Sequence, residues 1–348
     1  MLPAGHGDAL WIEYGEGSAC HRVLVDCGTQ QTAPALMQRV ARMPDNERLL
    51  ELFVMSHIDS DHIGGALPFL RAAKEGLRFG DLWFNGWRHL AGELGASQGE
   101  MFSTAIGDLG LPWNAWCSGK AVVVRDGPLP VQVLPGGMKL TLLSPQPGEL
   151  KRLAPVWTRE MKRYGLEPGS RVDYSRFLKG TPSTSTDVDE LANVKFSGDT
   201  GVPNGTSIAL LAEFGGATAL LGADAYAPVL AASIKRLLAD RKLQRLGVDV
   251  FKVAHHGSQN NTSVELLGLI DCHHYLLSSN GDHFCHPDRE TIGRILKYGG
   301  AAPSLHFNYR TRYNEVWDRP DLREKYAYTA IFPAPETSGL GVSLLPHT

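Results

Sequence analysis

Four side chains of metal-ligand type crowd into six positions of the segment "SHIDSDHIGG": His57, Asp59, Asp61 and His62. The apolar run "LLELFVMSH" reads as a buried strand that delivers His57 to its end, and Gly64 and Gly65 read as the start of a helix. Two carboxylates and two imidazoles held that close together cannot all be charged and buried without a compensating cation. A divalent ion resolves the conflict, and a pair of ions resolves it better. Alternation along the loop lets His57 and Asp59 face one ion while Asp61 and His62 turn to the second. Nitrogen and oxygen ligands suit zinc, and the share of carboxylates also suits manganese. The competing reading is a plain loop with acidic turn residues.

The chain around this segment is long enough, at 348 residues with 43% hydrophobic content, to bury a large core. One α/β domain with insertions and two halves sharing a core both fit that length. Strands are expected in "ALWIEY", "RVLVDCG", "DLWFNGW", "AVVVRDG", "VQVLPGG" and "MKLTLLSP", with helices in "APALMQRVARM", "GGALPFLRAAKEG" and from about 91 to 109. After a helical stretch from about 149 to 165, the pattern dissolves into Ser, Thr, Gly, Pro and Asp over about 166–203, which reads as a functional loop or an irregular insertion. Strands "TSIALLAEF", "ATALLGA", "VDVFKVA", "HYLLSS" and "PSLHFNY" then alternate with helices through "VLAASIKRLLADR", "VELLGLI" and the segment after Pro287. The whole reads as one domain over 1–348 with a C-terminal extension after about 310.

The string "HIDSDH" resembles the HxHxDH signature of the metallo-β-lactamase superfamily, in the variant with Asp at the second His. Further likenesses follow in order: "LVDCG", "NGTSIALL", "ALLGADA", "FKVAHHGSQNNTS" and a later "HP". Together they are similar to the metallo-β-lactamase domain of ComEC/Rec2 DNA-uptake proteins. The resemblance implies a metallo-β-lactamase fold: an αββα sandwich of two mixed sheets flanked by helices, with ligand loops meeting at one edge. It implies Asp224 as a carboxylate bridging the two ions, a residue that also reads as the N-cap of the following helix. It gives the last ligand position to His255 or His256. We take His255, the first residue off "VDVFKVA", as the ligand and His256 as a substrate-contacting proton donor. Asp26 resembles the carboxylate that orients the ligand loop, and also reads as a turn residue. His286, with His283 near it, falls at the "HP" element, where it lines the pocket or caps a helix. Catalytic roles are therefore expected for Asp61, His256 and His286, and metal ligation for His57, Asp59, Asp61, His62, Asp224 and His255.

One departure stands out, because members with a complete site supply a further His before the bridging Asp. Between His62 and His255 this chain has only His89, which follows its strand too soon to match. The expected slot lies near "GDTGVPNGTS", where Asp199 or Asn204 could serve, so the first ion position is expected to be weak, completed by water or selective for manganese.

Two such ions would hold a water, lower its pKa and clamp the oxygens of a displaced group, which is the chemistry of hydrolysis. The resemblance points to phosphodiesters: a nuclease first, then a small phosphodiester such as a nucleotide signal or a phosphorylcholine-like ester. A metal-binding partner subunit of a larger assembly is the non-enzymatic alternative; a protein partner or a homo-oligomer is compatible with either reading. The formal charge of −3 offers no global basic signature, so contact with nucleic acid would need a local patch. Five scattered cysteines without CxxC spacing argue against a disulfide framework or a thiolate zinc site and fit a reducing cytoplasm. No apolar run approaches the ~18 residues of a membrane span, and no membrane contact is expected.

Overall fold

The computed structural model describes residues 1–17, 19–73, 76–90, 97–163, 185–335 and 337–344. Its strands, in chain order, are β1 (Leu10–Tyr14), β2 (His21–Val25), β3 (Leu49–Leu50), β4 (Leu52–Val54), β5 (Arg78–Phe79), β6 (Leu82–Trp83) and β7 (Val131–Val133). They continue with β8 (Lys139–Ser144), β9 (Ala209–Phe214), β10 (Ala217–Leu221), β11 (Leu246–Lys252), β12 (Ile270–Leu277), β13 (Ser304–Phe307) and β14 (Thr329–Ile331). A four-stranded sheet has the order β1-β2-β4-β6, and an eight-stranded sheet the order β14-β13-β12-β11-β10-β9-β8-β7. Both are mixed: β2, β4 and β6 run parallel beside an antiparallel β1, and β10 to β14 run parallel beside antiparallel β9, β8 and β7.

Period-2 alternation sorts the side chains of the smaller sheet into two cores. Val23, Val25, Leu52, Val54 and Trp83 share one cluster with Leu140, Leu142, Leu210 and Leu220 of the larger sheet. Leu24, Phe53 and Leu82, from the opposite face, pack with Leu36, Phe69 and Phe102 of helices Ala33–Ala41, Ala66–Ala73 and Ser97–Asp108. The first cluster continues to Leu230 and Ile234 of helix Ala227–Arg241 and to Ile292 and Ile295 of helix Arg289–Tyr298. The layers are therefore helix, sheet, sheet, helix, the αββα sandwich expected from the sequence.

Parallel strands place their carboxyl ends at one edge, where a ligand site collects. Parallel β2 and β4 end just before Asp26 and His57, and parallel β10, β11 and β12 end before Asp224, His255–His256 and Ser278. Because β1 is antiparallel to β2, with Leu10 opposite Val25, Asp8 enters the same edge from the start of its strand.

Three local expectations differ. "AVVVRDG" forms no strand; the Val122 amide donates to Asn85 Oδ1 at 2.9 Å and the Val124 amide to the Pro145 carbonyl at 2.8 Å, so side chain and loop replace a ladder. Asp61 and His62 lie on a single helical turn, Ser60–Ile63, rather than on open loop. The segment after about 310 supplies helix Pro320–Lys325 and edge strand β14, which closes the larger sheet. The first half of the irregular stretch at 166–203 lies outside the described residues; its later part forms helix Val188–Ala192, with Val188 and Leu191 in the core. Among the described residues no helix is long and apolar enough to cross a membrane.

Candidate metal centre

Four imidazoles surround the carboxylate of Asp224, and each has its Nδ1 tied outward. His62 Nδ1 donates to Asp26 Oδ2 at 2.8 Å, and the same carboxylate takes the Ser56 amide and hydroxyl, both at 2.7 Å. Having given its proton to Asp26, Ser56 Oγ accepts from His57 Nδ1 at 3.0 Å. His255 Nδ1 meets Asn261 Oδ1 at 2.9 Å and Asp199 Oδ2 at 3.2 Å. His256 Nδ1 meets the Ser278 carbonyl at 3.1 Å and Asp8 Oδ1 at 3.2 Å. Acceptors at Nδ1 fix the proton there and leave the Nε2 lone pair free, the arrangement that metal-binding histidines need.

All four Nε2 atoms point inward. They stand 3.3 Å (His62) and 3.7 Å (His57, His255 and His256) from the oxygens of Asp224. Asp59 Oδ2 adds a contact to His57 Nε2 at 3.5 Å, and Asp61 Oδ2 one to His256 Nε2 at 3.4 Å. Asp59 begins the helical turn without capping it through its side chain, so its carboxylate is free for this role. The residues divide into two groups around the shared Asp224: His57, Asp59 and His255 on one side, Asp61, His62 and His256 on the other.

In the metal-free site protons on the imidazoles take the place of a cation. Burial alone would lower the pKa of each histidine, but the carboxylate of Asp224, helped by Asp26, holds His62 well above its ordinary range. Asp224 with Asp199 raises His255 to about 10, and Asp224 with Asp8 raises His256 to about 9. Burial would raise Asp224 itself, yet His62, His255 and His256 hold it well below the usual carboxylate range.

The residues fit a metal. His57 Nε2 and Asp224 Oδ1 are buried with no hydrogen-bond partner, a costly state that a cation removes. His62 Nε2 and His256 Nε2 lie 3.2 Å apart. Nitrogen ligands at about 2.0–2.1 Å around one tetrahedral ion stand roughly 3.3 Å from each other. Asp8, His62, Asp224 and His256 form one buried group able to hold an ion. Of these four Asp8 is the outlier, because it faces Nδ1 of His256 and not the Nε2 side where the other atoms meet.

The surroundings of the neighbouring histidines differ from those expected. The His256 ring is fully buried, with Nδ1 beside the Ser278 carbonyl and Asp8 and with Nε2 turned to His62 and Asp61, a setting that suits a metal ligand better than a group that meets substrate. It belongs with Asp61 and His62. His255 keeps a ligand-like orientation on the other side and is 20% exposed. The pair diverges because both residues adopt left-handed backbone, φ 50° and 54°, leaving the rings at 78° to each other. Such φ values cost non-glycine residues roughly 1–2 kcal/mol each, a strain that places the two rings on different sides.

Other expectations are placed as follows. Asp26 holds His62 and Ser56 as described. Asp199 and Asn204 are joined at 2.7 Å and gather on Nδ1 of His255, so they support that ring and do not face Asp224. Asn261 spends its amide on Asp199 and on the carbonyls of Asp224 and Ala225, which ties the segment after His256 to the strand end that carries Asp224. His286 lies beside His255, ring centroids 5.6 Å apart, with Nδ1 3.2 Å from Asp288 and its ring stacked on the exposed Phe284. His89 is remote from the group, packed on Trp113 and bonded to Asn114. Sequence reasoning missed Asp8, Lys252 and Ser56. The glycines of "GHGDAL" were the available signal for Asp8: a Cβ on Gly7 would stand 1.7 Å from the Asp61 carbonyl oxygen.

Fold and site together define an α/β sandwich with a buried His/Asp group able to bind metal. No family model matches the chain, and no curated protein matches it. Among solved structures, a mutant of CmlA beta-hydroxylase aligns over 94% of this chain with 10% identity and a TM-score of 0.37. The alignment covers 52% of that protein, so this chain spans about half its length.

Proposed function

We propose that the chain is a metal-dependent hydrolase of the metallo-β-lactamase type, acting on phosphodiester bonds with two divalent ions. The observation that carries the proposal is the common orientation of His57, His62, His255 and His256, each tied at Nδ1 and presenting Nε2 to Asp224. His57, Asp59, Asp224 and His255 would hold one ion, and Asp61, His62, Asp224 and His256 the other. Zinc or manganese bound there supplies Lewis acidity, lowering the pKa of water and polarising an ester oxygen.

The remaining steps belong to the chain's own side chains. Asp224, fixed among four imidazoles, keeps its charge and its place. Asp59 and His255, with side chains 32% and 20% exposed, mark the side of the site from which substrate approaches. The fully buried rings of His62 and His256 close the opposite side to solvent. His286 lines the approach, and with Nδ1 held by Asp288 it has its other nitrogen left to meet a leaving group. The phosphodiester preference rests on the "HHGS" and "HP" likeness, with nucleic acid ahead of a nucleotide signal or phosphorylcholine-like ester.

The test is elemental analysis of the purified protein, followed by turnover with zinc or manganese on single-stranded DNA, double-stranded DNA, RNA and cyclic nucleotides. Two ions per chain and metal-dependent cleavage of one class are expected. Bound metal with no cleavage of any phosphodiester would overturn the reaction, and absence of bound metal would overturn the centre itself.

A further inference from the structure

Lys252 is a buried cation with no part in the ligand set. It ends strand β11, four residues before His256, and its side chain is wholly inaccessible. Its Nζ donates to Asp8 Oδ2 at 2.6 Å and to the Val253 carbonyl at 3.0 Å. Asp8, 1% exposed, turns its other oxygen to His256 Nδ1 at 3.2 Å. Asp8, distant in sequence from the other two, thus completes one buried line, Lys252 to Asp8 to His256, which ends at the Nε2 that meets His62. Among the described residues the other ion position has no paired cation behind its carboxylate. The Nδ1 of His255 is held by Asp199 and Asn261, and Asp199, 10% exposed, is itself held by amides.

We infer that Lys252 and Asp8 are positioning residues that make the two ion positions unequal, strengthening the one built from Asp61, His62 and His256. A buried carboxylate needs a paired cation to remain charged, and Lys252 supplies it. The Nδ1 proton of His256 is directed to the Ser278 carbonyl, and the charged Asp8, 3.2 Å from the same nitrogen, favours that proton electrostatically and raises the donor strength of Nε2. Lys252 acts only through Asp8, so removing both should cost no more affinity than removing Asp8. The inference rests on the metal-centre reading above.

The experiment is a chelator-competition titration with zinc alone, resolving two binding steps, on wild type, Asp8→Asn, the double variant Asp8→Asn with Lys252→Met, and His62→Ala. The double variant removes both charges, a replacement that folded proteins commonly tolerate, and thermal unfolding of the metal-free forms checks its fold. Loss of an outer partner to a ligating histidine weakens metal binding about 10–100-fold. The tighter step should weaken by that factor in Asp8→Asn and equally in the double variant, with the weaker step unchanged and the tighter step lost in His62→Ala. Unchanged binding in a folded double variant overturns the inference, and so does equal weakening of both steps. If His62→Ala keeps both ions, the metal centre is wrong and the inference falls with it. Should the double variant fail to fold, Asp8→Asn alone decides between the same outcomes.

Discussion

His255 and His256 are neighbours in sequence with opposite surroundings, and their substitutions should separate. Removing His256 takes away the partner of Asp61 and leaves Asp8 facing a cavity among fully buried groups. His256→Ala should therefore lose one ion per chain and lower turnover by at least the roughly 10–100-fold that loss of a ligand's outer partner costs. His255→Ala removes the more exposed ligand nitrogen, and water is too weak a replacement to hold the ion on that side. It should keep the buried ion and lose only the exposed one. Elemental analysis of both variants checks this, and a His256→Ala protein with two ions would return His256 to the proton-donor role. At this scale the sequence was informative about identity and less so about partnership. His57, Asp59, Asp61, His62 and Asp224 are close in space as expected, because they share one loop or end a strand at the same edge. The direction in which His256 turns depends on left-handed backbone at two consecutive residues, which no residue pattern announces.

Among elements, the "GHGDAL" turn and the helical turn Ser60–Ile63 lean on each other. The Asp8 amide donates to the Asp61 carbonyl at 3.2 Å, and Gly7 passes so close to that carbonyl that no side chain fits. Gly7→Ala forces one backbone to yield, an overpacking cost of about 1–3 kcal/mol. Displacing the turn carries Asp61 and His62 with it, so metal affinity should fall along with the melting temperature. A Gly7→Ala protein with wild-type zinc affinity would show that the turn is not part of the site's frame. The strands were legible wherever apolar residues alternated or ran between turn signals, as in β2, β9, β10 and β11. "AVVVRDG" was misread because apolar residues satisfied by Asn85 and a loop carbonyl look the same in sequence as residues in a ladder. Asp8 was missed because its role is set by Lys252, which lies 244 positions away.

For the whole molecule, the histidines of the centre couple stability to protons and, under the proposed function, to metal. In the metal-free protein His256 and His255 have pKa values raised to about 9 and about 10, through the carboxylates around them, against an ordinary value of 6.5. A group whose folded pKa lies above its unfolded one stabilises the fold fully below the unfolded value, and that contribution is lost as pH rises through the folded value. The metal-free protein should therefore be most secure below about 6.5 with respect to these groups and lose stability as pH climbs through 9 and then 10. Metal replaces those protons, so binding releases them and apparent affinity should rise with pH over the same window. An ion at a hundredfold excess over its Kd adds about 2.7 kcal/mol of stability, and it adds more at alkaline pH than at neutral. Thermal melts across pH 6 to about 10, with a chelator or with zinc, should diverge at the alkaline end, the chelated curve falling while the zinc curve stays level. Parallel curves would mean that the raised histidines are not where the metal binds.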